Sequence, residues 1–405
     1  MRILVYTSPA RGHLFPAVPI VQELQRRGHA VTLRTLASQV ELLRALGIDA
    51  EPISSRVEAI ELDDHRARSV PAKAKRALAT FLARATPEAP DLAEAIAAHD
   101  PQLLLIDVNC WGAATVAEAS GLPWAMYAPY VLPVPSRDLP PFGPGLAPAR
   151  GRMHRARDAL LRTVGRVVLE RQAIPPLRAL RERHGLGPLQ HWSELFERPG
   201  LMLALTAEGF EYPRSDWPAN VRLVGPINWS PPQPPPPWLQ ELRDPLVLVT
   251  CSTERQRDRR LVRVALQALP PAGMSVLATT AAHDPAQFES PPGSRVTRFV
   301  SHDPVLARAA CVVCHGGMGI TQKALSAEVP VVVVPFGRDQ LETARRVELA
   351  GAGVRLSPKN LTPARLAAAV REARDCRPGA QRVSRAYAAA GGAVAAADAL
   401  EGLGG

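Results

Sequence analysis

The chain has 405 residues, 46% of them hydrophobic and 21% charged, enough for two domains of ordinary size and too apolar for global disorder. Its formal charge of +10 comes from scattered arginines without interleaved aromatic residues, which does not describe a nucleic-acid-binding surface. Five cysteines without a secretory context, no apolar run near the ~18–20 residues of a membrane span, and an N-terminus unlike a signal peptide point to a reduced, cytoplasmic protein without integral membrane association.

Arg2–Tyr6 reads as the first strand. Pro16–Arg27 is an amphipathic helix closed by Gly28, then come a strand at His29–Thr35 and helix signals at Ser38–Leu46. Leu103–Asp107 is a buried strand, Trp111–Ser120 a helix and Pro123–Ala128 a further strand. From Tyr130 to about residue 190 the pattern changes. Pro133, Pro135, Pro140, Pro141, Pro144 and Pro148 lead into an arginine-rich helical stretch, an insertion of the kind that shapes a binding cleft. Val221–Val224 reads as the last strand of this half, and Pro231–Pro237 as a stiff polyproline linker. The second half restarts with strands at Leu246–Thr250, Ser275–Thr279, Arg295–Phe299, Cys311–Cys314 and Val329–Val334, and ends in a helix at Arg382–Leu400. This alternation predicts an α/β protein with two Rossmann-like parallel-sheet domains, residues 1–225 and 244–405, joined by a linker at 226–243, with the last helix free to pack back on the first domain. Ligands of such sheets sit in the cleft that the two domains face.

The strand Cys311–Cys314 runs into His315 and the glycine turn Gly316-Gly317-Met318-Gly319 before a helical pattern starts. Bare N–H groups at a helix N-terminus favour a phosphate, and His315 adds a hydrogen bond or a charge. Cys311-Val-Val-Cys314-His315 formally matches a haem-attachment pattern, but cysteines three apart on a strand point to opposite faces, which rejects it. In the next loop, Asp339 and Gln340 suit the hydroxyl groups of a sugar, so the two loops together imply a nucleotide-sugar site. A dehydrogenase is excluded, because Thr7-Ser-Pro-Ala-Arg-Gly-His13 and Thr250-Cys-Ser-Thr-Glu254 follow the first strands where Gly-x-Gly-x-x-Gly would stand. His13 falls at the C-terminal edge of the first sheet. Asp107 ends a strand at the same edge, as a histidine base would require of its carboxylate, although an Asp there also serves as a helix cap.

His315-Gly-Gly-Met-Gly319, the helix behind it and Val331–Gln340 resemble the donor-binding motif of UDP-glycosyltransferase-type enzymes, in particular the bacterial branch that decorates natural products. The likeness spans nearly the whole chain and implies the two-domain GT-B fold. It implies an inverting transfer of a sugar from a nucleotide diphosphate donor to a hydroxyl of a small apolar acceptor, with no cofactor and no metal. By the resemblance, His315, Gly317, Met318, Gly319 and Ile320 hold the diphosphate, and Asp339 and Gln340 the sugar. Phe299 stacks on the base and Val300 reads its edge, Ser252 reaches the phosphates or the sugar, and Gly12 joins the donor site. Gly12-His13-x-x-Pro16 and Asp107 match the family's His–Asp dyad.

Two departures from the pattern matter. Ile320 replaces a frequent hydroxyl residue, leaving only the backbone contact. Lys323 stands where many members carry a Glu that binds ribose hydroxyls, which favours a dTDP-sugar over a UDP-sugar unless Lys323 simply turns to solvent. Trp111, Phe142 and the proline-rich loops suggest an apolar acceptor, and self-association into a homodimer is left open. The rival readings are a GT-B transferase at a membrane surface acting on a lipid-linked acceptor, its basic 150–183 segment touching lipid, and a non-catalytic nucleotide-sugar-binding partner protein, of the kind that tends to lose the dyad.

Overall fold

Runs of branched and apolar residues form two all-parallel sheets in the computed structural model of the protein, which describes residues 1–404. The first sheet contains β1 (Arg2–Tyr6), β2 (Ala30–Thr35), β3 (Asp49–Pro52), β4 (Leu103–Asp107), β5 (Trp124–Ala128), β6 (Leu201–Ala204) and β7 (Val221–Leu223). Their order is β3-β2-β1-β4-β5-β6-β7. The second contains β8 (Leu246–Thr250), β9 (Ser275–Thr279), β10 (Ser294–Thr297), β11 (Ala309–Cys314), β12 (Val331–Val333) and β13 (Gly353–Arg355), in the order β10-β9-β8-β11-β12-β13. Central strands such as β4, β5 and β8 are buried along their whole length, as sheets covered on both faces by helices require. Cys311 and Cys314 show the two faces directly: they enter separate cores on opposite sides of β11, and all five thiols are free.

In both sheets the strand order reverses beside the first strand, between β1 and β4 and between β8 and β11. These switch points open a crevice at the C-terminal strand ends. The two-domain α/β class expected from the sequence is the one observed. Three short strands were not expected: β3, β6 and β13, of three or four residues each, too short to show a period.

The helices differ more. The first begins at Arg11, not Pro16, and contains Pro16 and Pro19. A proline inside a helix costs the bond to the carbonyl four residues back. Here Gly12 and Pro16 both line the cleft, where solvent reaches the released carbonyl. A 30-residue helix, Val70–His99, went unread; Ser69 caps its start and Asp100, in the left-handed region (φ 44°), closes it, while Pro87 and Pro90 mask its periodicity. The expected terminal helix is two, Arg377–Ala389 and Gly392–Gly404, broken at Gly391 (φ 88°) and Gly392 (φ 59°).

That last helix crosses to the first domain. Ala396, Ala397 and Leu400 join the core under the first sheet, and Arg27 pairs with Asp398 (2.6 Å) and Glu401 (2.7 Å). Its return runs beside the outgoing chain, with Gly392 N–H donating to the Val224 carbonyl at 2.6 Å. The proline-rich run of the first domain in turn docks on the second. Glu342 Oε1 accepts from the N–H groups of Gly143 and Gly145, both at 2.8 Å. Gly145 (φ 61°) lies so close to the Leu341 backbone that no Cβ would fit. Among the described residues, no helix is long and apolar enough to cross a membrane.

Candidate functional site

A cavity of about 600 Å³ lies between the domains and reaches both switch points. On the first-domain side, His13 sits in the opening turn of helix Arg11–Arg26, seven residues past the end of β1, and Asp107 is the last residue of the neighbouring β4. His13 Nδ1 lies 2.8 and 3.0 Å from the two oxygens of Asp107. The carboxylate is fully buried and well supplied with donors: Asn109 N–H (2.8 Å), Ser8 Oγ (3.1 Å), Tyr127 OH (3.2 Å) and Ser8 N–H (3.3 Å). Burial works to raise its pKa, but His13 and these donors outweigh burial and hold it below the usual carboxylate value. For His13, burial disfavours the charged ring, yet Asp107 more than offsets this and the imidazole pKa is raised. With Nδ1–H given to Asp107, Nε2 is left with its lone pair toward the cavity.

Two residues that the sequence did not suggest complete this end. Asn109 Nδ2 lies 3.3 Å from His13 Nε2, and Tyr130 OH donates to Asn109 Oδ1 at 2.9 Å, which fixes the amide with its N–H side toward the imidazole. Beyond them the wall is aromatic. Phe81, Trp111, Trp192 and Phe196 form a chain of edge-on contacts with centroids 5.5, 4.8 and 5.6 Å apart, and Phe142 and Leu169 join the lining. Only Trp111 and Phe142 stood out in the sequence; the other rings come from helix Val70–His99 and from residues 190–196, segments with no motif.

Across the cavity, β11 delivers His315 and the turn after it. Gly316 has φ 92° and packs where a Cβ would lie 2.6 Å from Val333 Cγ1; a Cβ on Gly317 would collide with the His315 ring. Glycine is therefore required twice. Helix Met318–Ser326 then starts with no side-chain cap, leaving its first N–H groups at Gly317–Ile320 beside the cavity. His315 is nearly buried, and burial pushes its pKa down to about 4, so the ring is neutral near pH 7. An uncapped helix end with an imidazole beside it in the cavity wall fits an anion.

The remaining predicted residues reach the same cavity with differences in detail. Asp339 lines it half-buried, and burial raises its carboxyl pKa. Gln340 is more constrained than expected for a sugar ligand. Its Oε1 accepts from Phe336 and Gly337 N–H (2.7 and 3.1 Å), and its Nε2 donates to Gln256 Oε1 (2.8 Å). Gln256 also donates to Ser252 Oγ at 2.9 Å, tying the loop after β8 to the loop after β12. Ser252 N–H is bound to Asp258 Oδ2 at 2.7 Å, and Asp258 to His283 at 2.7 Å. With Cys251, these two form a group spaced as metal ligands are, but burial raises the thiol pKa and the carboxylate already braces the loop. Phe299 lies past β10, in the loop, 43% exposed and lining the cavity, with Val300 buried next to it. Lys323 does not turn to solvent. Its Nζ donates to the Trp229 carbonyl (2.6 Å) and to Ser230 Oγ, both in the interdomain linker.

The first domain also holds the donor-side loop. Arg338 pairs with Asp64 at 2.7 Å and Lys73 Nζ donates to the Phe336 carbonyl at 2.6 Å.

Residues 266–401 match the family model described as erythromycin biosynthesis protein CIII-like, C-terminal domain. The chain is 33% identical to 4'-demethylrebeccamycin synthase of Lentzea aerocolonigenes over 99% of both sequences. Among solved structures, it resembles the calicheamicin glycosyltransferase CalG4 with a TM-score of 0.75 and 22% identity, covering 99% of this chain and 98% of that one. It also resembles a glycosyltransferase of Streptomyces sp. SF2575 complexed with thymidine diphosphate, with a TM-score of 0.73 and 19% identity, covering 99% and 98%.

Proposed function

The chain belongs to the natural-product glycosyltransferases of the GT-B fold, and from that premise we propose that it transfers a sugar, with inversion, from a dTDP-sugar to a hydroxyl of an apolar aromatic small molecule. The observation that carries this reading is the opposition of two half-sites across one cavity. The paired His13 and Asp107 face the uncapped helix end at Gly317–Ile320 with His315 beside it. In the proposed step, His13 Nε2 takes the proton of the acceptor hydroxyl while its oxygen bonds to the anomeric carbon. The bond from that carbon to the diphosphate breaks, its electron pair leaving on the phosphate oxygen. Asp107 stabilises the imidazolium that forms, and the helix N–H groups and His315 receive the negative charge. The test is direct: incubation with an α-linked dTDP-hexose and a planar aromatic alcohol, followed by NMR of the product. A β-glycoside supports the proposal, and retained configuration rejects it.

The aromatic chain Phe81–Trp111–Trp192–Phe196 supports an aromatic acceptor, because such faces stack on flat rings and leave few polar groups to satisfy. Lys323 supports the deoxyribose donor. Its ammonium is committed to the linker and has no lone pair to accept from ribose hydroxyls. The structural neighbour solved with thymidine diphosphate lends support to this choice. In competition for one site, dTDP is expected to bind several-fold tighter than UDP, and Lys323→Glu to narrow that gap. Tighter binding of UDP to the unaltered protein would reject the preference.

Asn109 is expected to matter through His13. Its amide N–H stabilises the neutral imidazole, so Asn109→Ala should raise the apparent pKa of the acid limb in kcat/KM and reduce kcat/KM by roughly tenfold. Tyr130→Phe should do the same more weakly, by releasing the amide. A pH profile superimposable on that of the unaltered protein would remove Asn109 from this role.

A further inference from the structure

The long helix Arg152–Arg183 carries a surface that the cleft does not use. Ten large hydrophobic side chains are exposed among the described residues, and six of them are on this helix: Met153, Leu160, Leu161, Val164, Val167 and Val168, with Met153 86% and Leu160 65% exposed. At ~100° per residue these six fall within an arc of about 120°. They form one stripe along the first half of the helix. The second half turns a different face, Ala173, Leu177 and Leu180, into the first-domain core.

The charge around the stripe is of one sign. Residues 152–168 contain five arginines and a single acid, Asp158, which is buried and already paired with Arg157 at 2.7 Å. Arg152, Arg155 and Arg166 are exposed and have no ion pair among the described residues. A second copy of the chain would bring the same arginines to the contact with no exposed acid from this segment to meet them. The complement is anionic. The shape narrows it further, since this half of the helix is exposed on nearly every side and offers a ridge where a peptide would need a groove. A helix with an apolar stripe on one face, Arg152 toward its flank and Arg155 and Arg166 on the opposite face is the amphipathic form that lies in a bilayer interface, its apolar side chains among the acyl chains and its long guanidinium side chains reaching toward the headgroups.

We propose that Arg152–Val168 docks the protein on a membrane surface containing anionic phospholipid. The docking also has a bearing on the cleft. Leu169 follows the stripe in sequence but lies on the opposite side of the helix, where it lines the same cavity as Trp192 and Phe196, so the aromatic end of the cleft lies behind the docked helix. An apolar molecule dissolved in the bilayer would then be delivered next to it. This last point rests on the acceptor reading above; the docking itself does not.

The experiment is flotation of the full-length protein with vesicles of phosphatidylcholine alone or with about one-third phosphatidylglycerol. Binding is expected to the anionic vesicles and to fall steeply as salt is raised, with little binding to phosphatidylcholine. Leu160→Glu with Val164→Glu should abolish flotation. Arg155→Gln with Arg166→Gln should weaken it by about 30-fold, at roughly a factor of five per arginine. All four sites are exposed, so thermal melting and dTDP binding should be unchanged, which separates lost docking from lost folding. Absence of flotation with anionic vesicles at low salt overturns the proposal. So does a dimer in light scattering that the Leu160→Glu, Val164→Glu variant makes monomeric, since the stripe would then belong to a second copy.

Discussion

His13→Ala is expected to lower turnover by roughly 10²–10⁴ while leaving dTDP affinity nearly intact. The reason is local. Nε2 is the ring nitrogen not committed to Asp107, and beside its contact with Asn109 it opens on the cavity opposite the helix end at Gly317–Ile320. The pH profile gives a second reading of the same group. Burial opposes the charged ring, but Asp107 raises its pKa above the ordinary value of about 6.5, so the ring stays protonated to higher pH than a free histidine. Since the base must be neutral, kcat/KM should fall as pH drops through that raised value. Asp107→Asn should shift this limb to lower pH and also reduce turnover, because an amide can turn its N–H toward Nδ1 and reverse the tautomer. Near-normal turnover in His13→Ala on an O-acceptor would reject the assignment.

His315→Ala is expected to weaken nucleotide binding by about 10- to 100-fold, the equivalent of ~1.5–3 kcal/mol for one lost charge-assisted hydrogen bond. Calorimetric titration with dTDP alone is the measurement, since the loss should not depend on the sugar. A proton signature accompanies it. Burial holds the imidazole at a pKa of about 4, and an arriving diphosphate would raise that value. A raised pKa in the complex means proton uptake on binding at pH values between the two. In the unaltered protein, the apparent enthalpy should therefore depend on the buffer's ionisation heat at mildly acid pH, and this dependence should shrink in His315→Ala. Unchanged affinity in the variant would take His315 out of the site.

Much of this arrangement was legible because local chemistry and topology coincide. The turn at His315–Gly319 is written in residues that only a tight helix entry needs: Gly316 for its positive φ and Gly317 for the space against the His315 ring. His13 and Asp107 were legible because Gly12-His13-x-x-Pro16 and Asp107 resemble the family's dyad, and because each ends a strand or opens the helix behind one, at adjacent strands of one sheet. What stayed hidden acquires meaning only in space. Asn109 and Tyr130 are ordinary polar residues until the fold sets them beside the His13 imidazole in the cavity wall. Gln256 lies in a loop without motif and bridges two loops 88 residues apart, Ser252 and Gln340. Helix Val70–His99 supplies Phe81 and Lys73 to the cavity wall, and its internal prolines broke the periodicity by which it would have been read. Lys323 was noticed as a departure, but its partners in the linker could not be foreseen from its neighbours in sequence.

The crossing of the last helix has a consequence for building hybrid enzymes from relatives of this chain. A parent exchange made at the proline-rich linker would join the first half of one protein to the second half of another. It would also import a foreign Gly392–Gly404 segment against the native Arg27 and the apolar floor of the first sheet. Three junctions therefore have to be matched, not one: the linker, the return at Gly391–Gly392, and the seam where Ala396, Ala397 and Leu400 seat. A recombinant that takes the helix Gly392–Gly404 from the same parent as its first domain keeps that seam intact. The unit of inheritance in this fold is the first sheet together with the tail of the polypeptide, with the second domain inserted between them.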